Sequence, residues 1–129
     1  MSIITRTLQY IADEHDINLI IGNFPYCAYS VKGSYTGSGE WWDLNVVKDT
    51  ILIPHPNSKS GYTKVILGFY HELGHVLDHR GNKQFKDQLA CECSAWVTGL
   101  RLFFKSEFSQ VISKEAVHKR VSYCLSTYM

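Results

Sequence analysis

The sequence predicts a single α+β domain over residues 1–129, with a small, mainly antiparallel sheet set among helices. Three observations lead to this. Short β-branched runs ended by turn residues are confined to positions 18–53, helical periodicity opens the chain and dominates it after position 60, and no linker or repeat divides the two regions.

Residues 2–15 carry Ile4, Leu8, Ile11 and Ala12 at helical intervals, which predicts an amphipathic first helix. The apolar run 18–21, stopped by Gly22, Asn23 and Pro25, predicts a buried strand, and the aromatic-rich run 26–31 a second one. Gly33, Gly37, Ser38 and Gly39 then mark a mobile loop or hairpin tip. Trp41 and Trp42 are expected to cover core or sheet edge rather than serve as a ligand platform. The clearest strand is 50–53, ended by Pro54-His55-Pro56. Short connections favour antiparallel pairing, and an exposed edge on this strand would let an extended peptide add to it.

A helix capped by the serines at 58–60 is expected to follow, with Tyr62, Val65, Ile66, Phe69, Leu73, Val76 and Leu77 as its apolar stripe. Its opposite face reads Lys64, Gly68, His71, His75 and His79, and Gly68 looks like a place cleared of side chain. It should end near Gly81-Asn82. The next helix, from about Phe85, gathers Leu89, Ala95, Trp96, Gly99 and Phe103 on one face, with Ser94, Thr98 and Arg101 on the far side. Glu92 stands in the middle of the apolar face, where a lone carboxylate requires a proton, a partner or a cation. A last helix capped by Ser113 and packing through Ala116, Val117, Val121 and Leu125 shows no motif of its own.

The chemistry-bearing stretch is His71-Glu72-Leu73-Gly74-His75. Two imidazoles four residues apart on a helix can reach one ion, and this is the HExxH arrangement, in which the intervening glutamate takes a proton from the water that zinc binds. At this chain's His and Glu frequencies the five-residue match arises by chance in about one sequence in a hundred, so it needs support from its surroundings. Glu92, seventeen positions after His75 on the next helix, supplies that support as the third ligand for one Zn2+. Glu72 is left free to act as the acid-base. His79 and Asp78 are candidates to steady the ligands from outside. Tyr62, Tyr70, Tyr35, His55 and His79 are candidate donors to an oxyanion.

A net charge of +1 gives no reason to expect nucleic acid or a membrane surface as partner, and 45% hydrophobic residues suit a globular domain. No apolar stretch approaches a membrane span and no signal-like segment opens the chain, so the expected location is cytoplasmic. Cys27, Cys91, Cys93 and Cys124 lack zinc-finger spacing and are expected to be free thiols with packing roles.

Thr50-Ile51-Leu52-Ile53-Pro54, the helix from His71 to His79 and the later Glu92-Cys93-Ser94-Ala95 together resemble the ImmA/IrrE family of small metallopeptidases. The resemblance implies a minimal zincin-like fold: a first helix, a small antiparallel sheet, the HExxH helix, a Glu-bearing helix and a C-terminal helix. It implies that His71, His75 and Glu92 hold zinc, that Glu72 is catalytic, and that the substrate is a specific protein, with regulatory or repressor-like proteins as the family's targets. After Ala95 the chain departs from the family pattern, carrying Trp96-Val97-Thr98-Gly99 where Asn or Asp and then Phe-Ala are usual. The alternatives are a zincin-fold protein that docks on or inhibits a partner without catalysis and, last, a deformylase-like hydrolase, which would need a cysteine ligand in matching surroundings that Cys27 lacks.

Overall fold

The computed structural model describes residues 2–33, 47–57 and 61–129. The glycine-rich loop, Tyr35, Trp41 and Trp42 and the serine cap lie outside the described residues. The chain runs α1 (Ile3–Glu14), β1 (Asn18–Gly22), β2 (Ala28–Ser30), β3 (Thr50–Pro54), α2 (Tyr62–Arg80), α3 (Gln88–Phe103), a short 3-10 helix (Glu107–Gln110) and α4 (Lys114–Ser126). This is an α+β arrangement of four α-helices and a three-stranded mixed sheet.

Local chemistry sets most helix starts. The hydroxyl of Ser2 accepts from the Thr5 amide at 3.1 Å, Asp87 from Ala90 at 2.8 Å and Ser113 from Ala116 at 3.1 Å, each satisfying an amide that the first turn leaves open. The α3 cap therefore moves to Asp87, past the expected start at Phe85. At α2 the cap is Gly61, at φ +78° and with no side-chain bond, in place of a serine. Its far end turns at Asn82, whose φ of +56° makes it the left-handed residue after Gly81.

The strand order is β1-β3-β2, and it corrects the expected sheet. β2 pairs with β3 antiparallel over three residues, but β1 pairs with β3 parallel over five, from Asn18 opposite Thr50 to Gly22 opposite Pro54. The short connections join β1 to β2 in sequence, yet these two are not neighbours in the sheet. Residues 23–49 separate β1 from β3, ample chain for a parallel crossover. The correction also removes β3 as an edge: it is central, paired on both sides, and Thr50, Ile51, Leu52 and Ile53 are all buried.

α2 is the central element. Val65, Ile66, Leu67, Phe69, Tyr70, Leu73 and Val76 are buried with Leu8 and Ala12 of α1, Ile51 and Ile53 of β3 and Phe103 of α3. His71 and His75 on the opposite face are buried as well, because β2 and α3 close over them, while Lys64 and His79 near the ends of the helix are exposed. A helix buried nearly all round is held by every layer of the fold. Its C-terminus is tied down by Arg80, which donates to Asp49 Oδ2 at 2.7 Å and to the carbonyls of His15 and Asp16 at 2.5 and 3.1 Å. Asp49 also accepts from the Lys32 amide at 2.7 Å, so one buried carboxylate joins the ends of three elements.

α2 and α3 cross at glycine. A Cβ on Gly74 would stand 2.0 Å from the Ala95 carbonyl oxygen, and one on Gly99 would stand 2.1 Å from that of Tyr70. Only hydrogen fits at either point, so the two backbones approach far closer than side chains would allow. Among the described residues, no helix is long and apolar enough to cross a membrane.

Candidate metal centre

The close crossing sets His71 and His75 of α2 against Glu92 of α3. His71 Nε2 lies 2.8 Å from Glu92 Oε1, His75 Nε2 lies 3.0 Å from Oε2, and the two Nε2 atoms are 3.2 Å apart. One donor atom from each residue falls within 4.8 Å of the other two. All three residues are 6–9% exposed, so the cluster is a walled site and not a solvated helix face.

Protonation suits a cation. Burial holds the His71 imidazole below its ordinary range, which favours the neutral ring that ligates metal. Burial alone would raise the Glu92 carboxyl, but the bonds from His71 and His75 outweigh it and bring it down to about 2. Two imidazoles and a carboxylate form the two-histidine, one-carboxylate set of hydrolytic zinc sites. His71 Nδ1 is buried with no hydrogen-bond partner, so Glu92 is the fixed point of that ring. These residues fit a zinc ion.

The rings are held by stacking. His71 lies on Trp96 of α3, centroids 4.2 Å apart at 23°, and His75 lies on Tyr29 of β2, 4.7 Å apart at 11°. Cys91 Sγ is 3.9 Å from His75 Nδ1. Trp96 thus braces a histidine with an aromatic face. Tyr29 is not singled out in the sequence, and Trp96 and Cys91 read there only as packing residues. Glu92 and Trp96 are four apart on one helical face, which could have flagged Trp96, but nothing local connects Tyr29 to His75.

Glu72 opens onto the same cleft as His71 and Glu92, a space of about 550 Å³. Burial, and then the charge of Glu92, push its carboxyl well above the ordinary carboxylate range. Gly68 also lines this cleft. What its missing side chain admits is Cys27: a Cβ there would meet the Cys27 Sγ at 2.7 Å. The other wall comes from α4 and the residues after it, through Arg120, Tyr123, Thr127 and Tyr128, a region whose sequence shows no motif. Burial, and then the charge of Glu92, raise the Tyr128 phenol.

The remaining candidates fall elsewhere. Asp78 turns to α3, accepting from Ser94 at 2.7 Å and Thr98 at 2.6 Å and pairing with Lys83 at 3.0 Å. Ser94 and Thr98, expected on the far side of α3, therefore face α2. Tyr70 is a core residue packed edge-on to Phe69, Phe103 and Phe108. His79 and Tyr62 are exposed at opposite ends of α2, and His55 is exposed after β3. The four cysteines are free thiols.

No family model, curated protein or solved structure matches this chain.

The carboxylates make a pH prediction for the metal-free protein. Glu92, at about 2 in the fold against an ordinary 4.5, contributes stability that is present above pH 4.5 and lost as pH falls toward 2. Asp49 and Asp78, lowered from 3.8 by hydrogen bonds that outweigh burial, act in the same direction. Glu72 is raised, so its opposite contribution is fully gained by the time pH has fallen to 4.5 and does not offset the loss below it. Urea midpoints are expected to drop between pH 4.5 and 2, and to drop less in Glu92→Gln; equal slopes in the two proteins would refute the assignment to Glu92.

Proposed function

We propose that this protein is a zinc-dependent metalloendopeptidase that hydrolyses a peptide bond in a specific protein substrate. The observation that carries the proposal is the convergence of His71, His75 and Glu92 on one walled point, with Glu72 opening onto the same cleft. The resemblance of these motifs to the ImmA/IrrE metallopeptidases supports it and suggests a regulatory or repressor-like protein as substrate.

When bound, a zinc ion supplies Lewis acidity at this point, polarising a carbonyl and lowering the pKa of water to about 7. The chain's own residues do the rest. The imidazoles of His71 and His75 and the Glu92 carboxylate would hold the ion, with Trp96 and Tyr29 fixing the planes of the two rings. A Glu72 carboxylate oxygen accepts the proton of the attacking water and returns it to the departing amine as the C–N bond breaks.

Glu72→Gln tests the reading directly. The variant should retain one zinc per chain and lose turnover by a factor of about 10²–10⁴. Zinc-loaded protein added to a lysate should generate new N-termini, found by terminal-amine labelling, that the variant does not. Identical N-termini with both proteins would overturn catalysis, and full biological activity of the variant would favour a protein that acts by docking.

A further inference from the structure

We propose that Arg120 anchors a carboxylate of the bound peptide, so that the cleft selects substrates carrying a negative charge in the segment it holds. This rests on the metallopeptidase reading and adds a substrate class to it.

Arg120 lies on α4 and lines the cleft opposite the elements that carry His71, Glu72 and Glu92. Its guanidinium carbon sits 5.6 Å from the centre of the Tyr123 ring. A contact of that kind uses the flat face of the guanidinium and leaves its N–H edge for an acceptor, and a carboxylate matches that edge with two parallel bonds. Among the described residues Arg120 forms no ion pair, whereas Lys48, Arg80 and Lys83 are each paired with an aspartate. The cleft's own acids do not answer it. Glu92 is taken up by His71 and His75, and Glu72 forms no ion pair with Arg120 among the described residues.

Lys64 of α2 lines the same space and also forms no ion pair among the described residues. A cleft flanked by cations on both α2 and α4, neither of them paired with its carboxylates among the described residues, can take up an added anion. A peptide offers a carboxylate from two sources, an acidic side chain or a free C-terminus.

Three hydroxamate-capped dipeptides separate these outcomes: Leu-Gln amide (neutral), Leu-Glu amide (side-chain carboxylate) and Leu-Gln free acid (terminal carboxylate). Dissociation constants for the zinc-loaded protein, measured by calorimetry, should favour one of the charged probes over the neutral one by about 10- to 100-fold. The probe that gains most identifies the source. Arg120→Gln should erase the preference while leaving zinc content, melting temperature and affinity for the neutral probe unchanged, and Arg120→Lys should keep part of it. Equal affinities for all three probes, or a preference that survives Arg120→Gln, would overturn the anchor while leaving the metallopeptidase reading intact. Failure of even the neutral hydroxamate to bind zinc-loaded protein would overturn both.

Discussion

Glu92→Ala is expected to bind zinc at least about 100-fold more weakly than the parent protein, since loss of even an outer-shell partner costs 10- to 100-fold. Glu92 is the only carboxylate within reach of both histidines among the described residues, and the two Nε2 atoms it bridges are 3.2 Å apart in a buried site. Its removal leaves a histidine pair that is a poor site for a divalent cation at neutral pH. Affinity is measured by competition against a chromophoric chelator, with circular dichroism to establish folding. Glu92→Gln keeps the shape and removes the charge, so it should lose affinity while folding as well as the parent. One zinc at undiminished affinity in either variant would sink the ligand assignment.

Gly99→Ala is expected to destabilise the protein by about 3 kcal/mol, at the upper end of ordinary overpacking, because the new methyl meets backbone and not a movable side chain. For a domain of this size that corresponds to a melting temperature lower by roughly 10 °C. Gly74→Ala should cost a similar amount, its Cβ running into the Ala95 carbonyl. The loss should extend to the metal, because pushing α3 away from α2 carries Glu92 away from His71 and His75. Leu8→Ala is the control. Leu8 is fully buried on α1, and its truncation costs a comparable 2–5 kcal/mol without touching the crossing. Zinc affinity should fall in the glycine variants and hold in Leu8→Ala, each measured under conditions where the protein is folded. A Gly99→Ala protein with parental zinc affinity would show that the spacing of the helices does not set the site.

The two glycines illustrate what a sequence conceals. Gly74 lies inside the HExxH stretch and Gly99 two turns beyond Glu92, yet nothing near either position says that another backbone passes within touching distance. Gly68 drew attention for the right reason, a cleared space, but the occupant is Cys27 from forty-one residues earlier. Asp78 has the same character: a helix carboxylate beside a ligand, which the fold commits to Ser94, Thr98 and Lys83. In each case the local pattern reports that something is unusual, and the identity of the partner comes from another part of the chain.

What the sequence alone determined is whatever depends on neighbours within a turn or two. The first and last helices follow from their periodicity and from the caps at Ser2 and Ser113, and β3 follows from a β-branched run before Pro54. The spacing of His71 and His75 places two imidazoles together on any α-helix, and Glu92 declared its need for a partner by standing alone on an apolar face. Only the tertiary structure decided the parallel pairing of β1 with β3, the stacking of Tyr29 and Trp96 on the histidines, and the placing of Arg120 and Tyr128 on the wall of the cleft. These contacts join segments tens of residues apart. Their free energy comes from surfaces that meet after the chain has collapsed, and no local periodicity encodes which surfaces those will be.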